Sequence, residues 1–472
     1  MKKTAFLLII LIAVTIGYKT QAQNNIEKRS VTGSWFGKLN VSAVSLRIVF
    51  NLSLTEKDSL AVTLDSPDQG AQGIKIGPVK LNNDKIKISA PLLLGEYNGT
   101  IKNDTLIEGT WTQSGTTFPL NLTKLKKALI VNRPQEPKPP FPYLTEDVKF
   151  KNVNANIELA GTLTMPNGDG PFPAVILITG SGSQNRNEEL MGHKPFLVIA
   201  DYLTRNGIAV LRYDDRSVGQ SQQGSASATS IDFATDVESA FLFLKTNLKI
   251  NPRLIGLAGH SEGGLIAPIV ASEDHEVAFV ISLSGTGVTG EKILYRQTYD
   301  INKASGMKEE DLKSSISMAK KMYAILKKEP DNKKATEKMS AIMKETMISQ
   351  KSSPEDVKKS LEQFPNSAAM LTSSWFRTFL VIDPAKYWKK VTCPVLALNG
   401  EKDLQVAAEV NLPAIEKAVK SGGNKSVKTI SFPDLNHLYQ HCKTGLPTEY
   451  SEIEETFSPE VLKIISGWIH GL

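Results

Sequence analysis

Hydrophobic and polar positions change rhythm twice along this chain. From about Gly33 to Lys124 the spacing is two. Leu46-Arg-Ile-Val-Phe-Asn-Leu-Ser-Leu54, Ile86-Lys-Ile-Ser89 and Phe118-Pro-Leu-Asn-Leu122 each put apolar side chains on one face of an extended backbone. Asn82-Asn-Asp84 and Asn103-Asp104 supply turns between such runs. Short strands at this spacing predict a small antiparallel barrel or sandwich over residues 26–125. Gly33-Ser-Trp35-Phe-Gly37 has an echo in Gly95-Glu-Tyr97-Asn-Gly99 and a partial one in Gly109-Thr-Trp111. These aromatics fit a core; a carbohydrate-stacking surface is the alternative. Residues 126–144 then carry Pro134, Pro137, Pro139, Pro140 and Pro142, which hold the chain extended and predict a stiff linker.

Over 145–472 the rhythm is different. Continuous apolar runs at Ala174–Ile178, Ala209–Leu211, Leu254–Leu257, Val277–Ile281 and Val395–Leu398 alternate with helical patterns over 194–206, 231–248, 264–272, 407–420 and 459–468. Strands apolar on both faces, alternating with helices, predict an α/β domain with a mostly parallel sheet covered on both sides. One stretch, about 290–388, keeps helical periodicity without a strand and holds seven of the ten methionines. It is expected to be a helical insertion over the reactive edge, a lid. Met339, Met343 and Met347 recur every four residues and share a helix face. That face is either core between helices or the adaptable wall of an apolar substrate pocket.

Composition narrows the class. In 472 residues, 41% are hydrophobic and 22% charged, as in ordinary globular protein and unlike a disordered or fibrous chain. Two cysteines can make neither a disulfide scaffold nor a Cys-rich zinc module. The formal charge of +6 owes three units to Lys2, Lys3 and Lys19, so no nucleic-acid partner is expected. Lys2-Lys3, the apolar run from Ala5 to Gly17 and the small residue Ala22 describe a signal peptide over residues 1–22. The run is short of the ~20 residues that span a bilayer. An exported protein, periplasmic or secreted and without an integral membrane segment once the leader is removed, is the expectation.

The chemistry lies in the α/β part. Leu254-Ile-Gly-Leu-Ala-Gly-His-Ser261-Glu-Gly-Gly264 is an apolar strand entering Gly-x-Ser-x-Gly and then a helix, the context of a nucleophile elbow. Gly259 and Gly263 remove side chains that would collide in so tight a turn, and Ser261 is thrust above the sheet edge. A serine needs a base. Of the six histidines, His437 follows a short strand, Val427–Ser431, at the carboxyl edge where open α/β sheets place reactive groups. His441 is the alternative, and His260, next to the serine, is expected to point elsewhere. The base needs a carboxylate. Asp403, in the loop after Val395–Leu398, is the choice, with Glu401 second; Asp434 is expected to shape its loop. The oxyanion donors are assigned to the backbone of Glu262 and to the glycine-rich loop Gly180, Ser181 and Gly182. Arg212–Ser221 is expected to be a structured turn with internal salt links. No cofactor is called for, and no His-Glu-x-x-His or clustered Cys/His marks a metal site. Cys393 begins the strand leading to Asp403 and Cys442 follows the histidine loop at the opposite sheet edge, so both are expected to be free thiols.

Gly180-Ser-Gly-Ser-Gln-Asn-Arg, Arg212-Tyr-Asp-Asp-Arg, Gly259-His-Ser-Glu-Gly-Gly, Cys393-Pro-Val-Leu-Ala-Leu-Asn-Gly-Glu-Lys-Asp and Leu435-Asn-His-Leu resemble the α/β-hydrolase superfamily. They are most similar to EstD-type exported bacterial carboxylesterases with an N-terminal β domain. The resemblance covers about Thr145 to the C-terminus and includes Leu64-Asp-Ser-Pro-Asp-Gln-Gly-Ala71 of the front part. It implies the triad Ser261, Asp403 and His437, a helical cap ending near Trp375 to Asp383, and hydrolysis of short-chain or aryl esters. Thr179 departs from the histidine many relatives carry before the oxyanion glycines. Two further readings stay open: an aminopeptidase or dipeptidyl peptidase with the same triad, and a sugar- or wall-binding module in the front domain.

Overall fold

Period-two alternation over the front of the chain becomes an antiparallel sheet because each run can bury one face only by pairing with its neighbour. The computed structural model describes residues 30–41, 44–69, 71–113, 115–127 and 132–472; the expected leader, residues 1–22, lies outside the described residues. Ten strands form the first sheet: β1 Gly33–Val41, β2 Val44–Leu54, β3 Leu60–Ser66, β4 Ala71–Lys75, β5 Val79–Asn82, β6 Lys85–Ala90, β7 Gly95–Asn103, β8 Leu106–Gln113, β9 Thr116–Pro119 and β10 Leu122–Lys124. Their order is β4-β3-β2-β1-β10-β8-β7-β6-β5, with β9 on β8. The outer strands β4 and β5 are joined by only Ile76, Gly77 and Pro78, a span of about 10 Å. The sheet therefore curls back on itself as the expected barrel-like layer. Phe118–Leu122, read as one strand, is divided between β9 and β10.

Trp35, Tyr97 and Trp111 are buried in this sheet's core with Phe50. A Cβ at Gly95 would lie 2.4 Å from the Trp111 ring, and one at Gly109 2.5 Å from the Tyr97 hydroxyl oxygen. The aromatics of this signal are thus core residues, with Gly95, Gly99 and Gly109 making room for their rings.

The chain divides into a unit running to Asn132 together with Leu190–His193, and a unit of Arg133–Glu189 with Lys194–Leu472. The proline-rich stretch is therefore no free linker over its whole length. The Arg133 guanidinium donates to the carbonyls of Ile453 (2.9 Å) and Ser451 (3.0 Å), and the Gln135 side chain bonds the backbone of Thr456 and Phe457. From Arg133 onward it is a strap on the second unit.

That unit holds an eight-stranded sheet: β11 Leu144–Asn152, β12 Ile157–Met165, β13 Phe172–Ile178, β14 Ala209–Tyr213, β15 Ile250–His260, β16 Val280–Leu283, β17 Val395–Gly400 and β18 Val427–Phe432. The order is β11-β12-β14-β13-β15-β16-β17-β18; β12 runs antiparallel to both its neighbours, β11 and β14, and the remaining pairs are parallel. The helices α1 Pro195–Arg205, α2 Ser230–Lys245 and α3 Gly263–Glu273 follow β13, β14 and β15 in turn. Between β16 and β17 come α4 Gly290–Ala304, α5 Glu309–Lys328, α6 Asn332–Ser349, α7 Pro354–Leu371, α8 Ser374–Val381 and α9 Ala385–Trp388. Then α10 Ala408–Ser421 and α11 Pro459–His470 complete the chain. Apolar side chains of α2, α3 and α10 pack on one face of the sheet and those of α1 and α11 on the other. The inserted helices bury a separate core, in which Met322 and Met339 lie with Tyr323, Phe364, Phe376 and Leu380, and Met318 and Met343 pack against it. Met339 and Met343 of the methionine face thus belong to core between helices.

Candidate active site

Ser261 sits at the turn from β15 into α3 with φ 52°, a left-handed conformation that costs a residue with a side chain and persists only when its surroundings hold it. They do. A Cβ at Gly259 would lie 2.0 Å from the Gly263 carbonyl oxygen, and one at Gly263 2.2 Å from that of Ile178, so the expected steric reason for both glycines is met. The Ser261 N–H donates to the Leu283 carbonyl (2.8 Å), locking the turn to β16. Glu262 follows as the N-cap of α3, where the first N–H groups of a helix have no intrahelical acceptor.

Asp403 and His437 come from the loops after β17 and β18, and the structure brings them together. Asp403 Oδ2 lies 2.8 Å from His437 Nδ1, and both side chains are buried. Asp403 Oδ1 accepts the N–H groups of Gln405 and Val406, each at 2.8 Å, so the carboxylate cannot swing. With Nδ1–H donating to it, His437 presents Nε2 as the acceptor. Its loop is moored by Tyr439, whose hydroxyl donates to the Leu398 carbonyl and accepts the Ser284 N–H, each at 2.7 Å. The alternatives are engaged elsewhere: Glu401 accepts the Ser431 hydroxyl (2.7 Å), and exposed His441 pairs with Glu455 (2.7 Å). Asp434 bridges to Lys402 at 2.9 Å, shaping the loop as expected.

The oxyanion assignment needs a correction. The Gly180 N–H is committed to Glu188 Oε1 at 2.6 Å, so it is not free to meet a substrate oxygen. Ser181 and Gly182 are exposed in the same loop. The turn Arg212–Ser221 also differs from expectation. Its ion pairs leave the turn, Arg216 to Asp236 (2.8 Å) and Asp214 to Arg186 (2.7 Å), because helix α2 and the glycine-rich loop pack against it. Asp215 from this turn accepts the Thr179 hydroxyl (2.8 Å) and the Gln184 N–H (2.9 Å), bracing the glycine-rich loop. Thr179 therefore serves that brace. A cavity of about 220 Å³ is bordered by Gly180, Gly182, Tyr213, Asp215 and Glu262. Burial pushes the Asp215 carboxyl up to about 7 despite those two hydrogen bonds. Burial also raises the Glu262 carboxyl, against hydrogen bonds from Ser230 (2.6 Å) and the Trp375 indole (2.8 Å).

His260, expected to point elsewhere than Ser261, is engaged by two neighbouring loops. Its Nδ1 is 2.9 Å from Glu188 Oε1, its Nε2 is 3.0 Å from the His437 carbonyl oxygen, and its ring centre is 4.8 Å from that of His437. Among the described residues, no group of three or more His, Cys, Asp or Glu could hold a metal ion, and no helix is long and apolar enough to cross a membrane. Cys393 and Cys442 are free.

A family profile described as serine aminopeptidase, S33 (Hydrolase_4) matches residues 194–441, more than half of the chain. The chain belongs to this family. As a member of the S33 family it is an α/β-hydrolase enzyme, with the central sheet and elbow described above. A second profile, FrsA-like esterase, matches residues 120–237. Esterase EstD of Thermotoga maritima is 26% identical over 327 residues, covering 69% of this chain and 68% of that relative. A solved esterase of Pyrococcus furiosus is 17% identical, covering 73% of this chain and 98% of its own with a TM-score of 0.43. Protein PA2218 of Pseudomonas aeruginosa is 14% identical, covering 74% and 99% with a TM-score of 0.44.

Proposed function

We propose that this S33-family chain is a carboxylesterase that hydrolyses small-molecule esters through an acyl-enzyme, with Ser261 as nucleophile, His437 as base and Asp403 as its orienting carboxylate. The observation that carries the reading is the buried Asp403–His437 hydrogen bond of 2.8 Å. It sits at the same carboxyl edge as the left-handed turn bearing Ser261. His437 Nε2 takes the hydroxyl proton as Ser261 Oγ attacks the ester carbonyl; Asp403 holds the tautomer and balances the imidazolium. The oxyanion is met by the Glu262 N–H at the start of α3 and by N–H groups of Ser181 and Gly182. His437 returns the proton to the leaving alcohol, and water repeats the sequence on the acyl-enzyme. Ser261→Ala should reduce p-nitrophenyl acetate turnover at least ~10³-fold with unchanged circular dichroism; retained turnover refutes the assignment.

Aminopeptidase action is the second reading, favoured by the family's description and by the Asp215 and Glu262 carboxyls bordering the cavity, which could hold an ammonium group. Aminoacyl p-nitroanilides tested beside p-nitrophenyl esters separate the two. The inserted helices α4–α9 act as a lid in this proposal, and residues 1–22 as an export leader; the N-terminal sequence of protein recovered outside the cytoplasm tests the leader.

A further inference from the structure

Two buried ionisable side chains beside this site, His260 and Glu188, have no part in the proposed steps. Their geometry constrains the proton count of His260. His260 Nδ1 faces a carboxylate oxygen at 2.9 Å and its Nε2 faces a main-chain carbonyl oxygen at 3.0 Å. Neither an ionised carboxylate nor a carbonyl has a proton to give. A neutral imidazole owns a single N–H and would turn a lone pair on one of the two in a buried setting; the imidazolium donates to both. Glu188 Oε1 also accepts the Gly180 N–H at 2.6 Å. Burial opposes the charge on His260, but Glu188 and the His437 carbonyl outweigh it and raise its pKa, with Asp403 acting in the same sense. The titratable groups facing it are thus Glu188 from the loop after β13, Asp403 from the loop after β17 and His437 from the loop after β18. Glu188 is itself held at φ 50°, a conformation a non-glycine residue keeps only under constraint.

We infer that Glu188 and His260 form a permanently charged positioning pair that holds the His437 loop and the glycine-rich loop in register with Ser261. This rests on the esterase reading. The pair performs two tasks. Geometrically, its Nε2–H pins the main chain of His437 while its carboxylate pins Gly180, so both loops are tied to the end of the nucleophile strand. Electrostatically, ester attack creates a second imidazolium at His437, 4.8 Å away between ring centres. An unscreened His260 cation there would oppose that charge, and Glu188 cancels it.

Glu188→Gln keeps the shape and removes the charge. It should lower kcat for p-nitrophenyl acetate about 100-fold with KM within about two-fold, normalised to active sites counted by stoichiometric phosphonylation. Unchanged kcat per folded site, with only a lower melting temperature, would mean the pair is merely structural and overturns the proposal. In the unaltered protein, nitrogen-15 histidine spectra should show one imidazole protonated on both nitrogens from about pH 5 to 8, assigned by its loss in His260→Gln. A ring nitrogen of His260 without its proton in that range also overturns it. Ser261→Ala, assayed alongside, keeps the failures apart: an active serine variant sinks the esterase reading. An inactive one with an unimpaired Glu188→Gln sinks only the pair.

Discussion

Asp215 shows how one side chain can brace a glycine-rich loop and leave a measurable trace in stability. Its carboxyl holds the Thr179 hydroxyl and the Gln184 N–H, yet burial pushes its pKa from 3.8 up to about 7. Between about pH 4 and 7 the folded protein therefore keeps a proton that the unfolded chain has released. Unfolding in that window releases a proton, so stability falls as pH rises through it and remains lower above it. Asp215→Asn can preserve both contacts, its amide donating to the Thr179 oxygen and its carbonyl accepting from Gln184. The variant should match the wild type near pH 4 and exceed it near pH 8 by roughly 1–4 kcal/mol. Urea midpoints at the two pH values measure this. An equal difference at both would show that Asp215 is ionised throughout. The same residue scale explains what sequence spacing could not disclose. The partner of His260 is 72 positions earlier, in a loop with no periodicity to mark it, whereas Ser261, Asp403 and His437 each follow a strand whose pattern announces the loop.

At the scale of elements, the inserted helices are fastened beside the turn bearing Ser261 at a point that the sequence did not reveal. The Trp375 indole on α8 donates to Glu262 Oε1 (2.8 Å), which also accepts the Ser230 hydroxyl from α2. Two residues on, the Arg377 guanidinium donates to the carbonyls of Leu326 and Glu329, satisfying the open end of α5 as a helix C-terminus requires. Trp375→Phe keeps a ring and deletes the hydrogen bond. Hydrogen exchange should quicken over Ser374–Val381, by about 1 kcal/mol of protection, and stay unchanged over Ile250–His260. Equal quickening in both segments would mean the bond supports the whole domain. Most of the elements themselves were legible, because strands buried on both faces are continuous apolar runs and the helices between them carry a clear stripe. The hairpin β11–β12 was not. Its inward threonines, Thr162 bonding Asp147 and Thr164 bonding Thr204, interrupt the apolar run with polar residues that are nonetheless buried. Val277–Ile281 was read as a strand two or three residues early, since Val277 and Phe279 are buried but lie before the paired Val280–Leu283.

For the whole molecule, the arrangement of cores decides how it comes apart. Trp35, Phe50, Tyr97 and Trp111 belong to a core drawn entirely from the first unit; the two layers flanking the eight-stranded sheet, and the core of the inserted helices, are drawn entirely from the second. None of these clusters mixes residues of both units, so cooperativity is expected within each unit, and calorimetry should resolve two transitions. Trp35→Ala tests this sharply. The ring is fully buried and its indole N–H donates to the Val31 carbonyl (2.7 Å), so truncation should cost about 3–5 kcal/mol. For a unit of this size each kcal/mol moves the midpoint by about 4–8 °C, enough to unfold the first unit at temperatures where the second stays native. Esterase turnover measured between the two midpoints should then equal that of the wild type, because every residue assigned to the reaction lies in the second unit. If turnover is instead lost in step with the first transition, the two units fold as one, and the separation of their cores does not translate into independent stability.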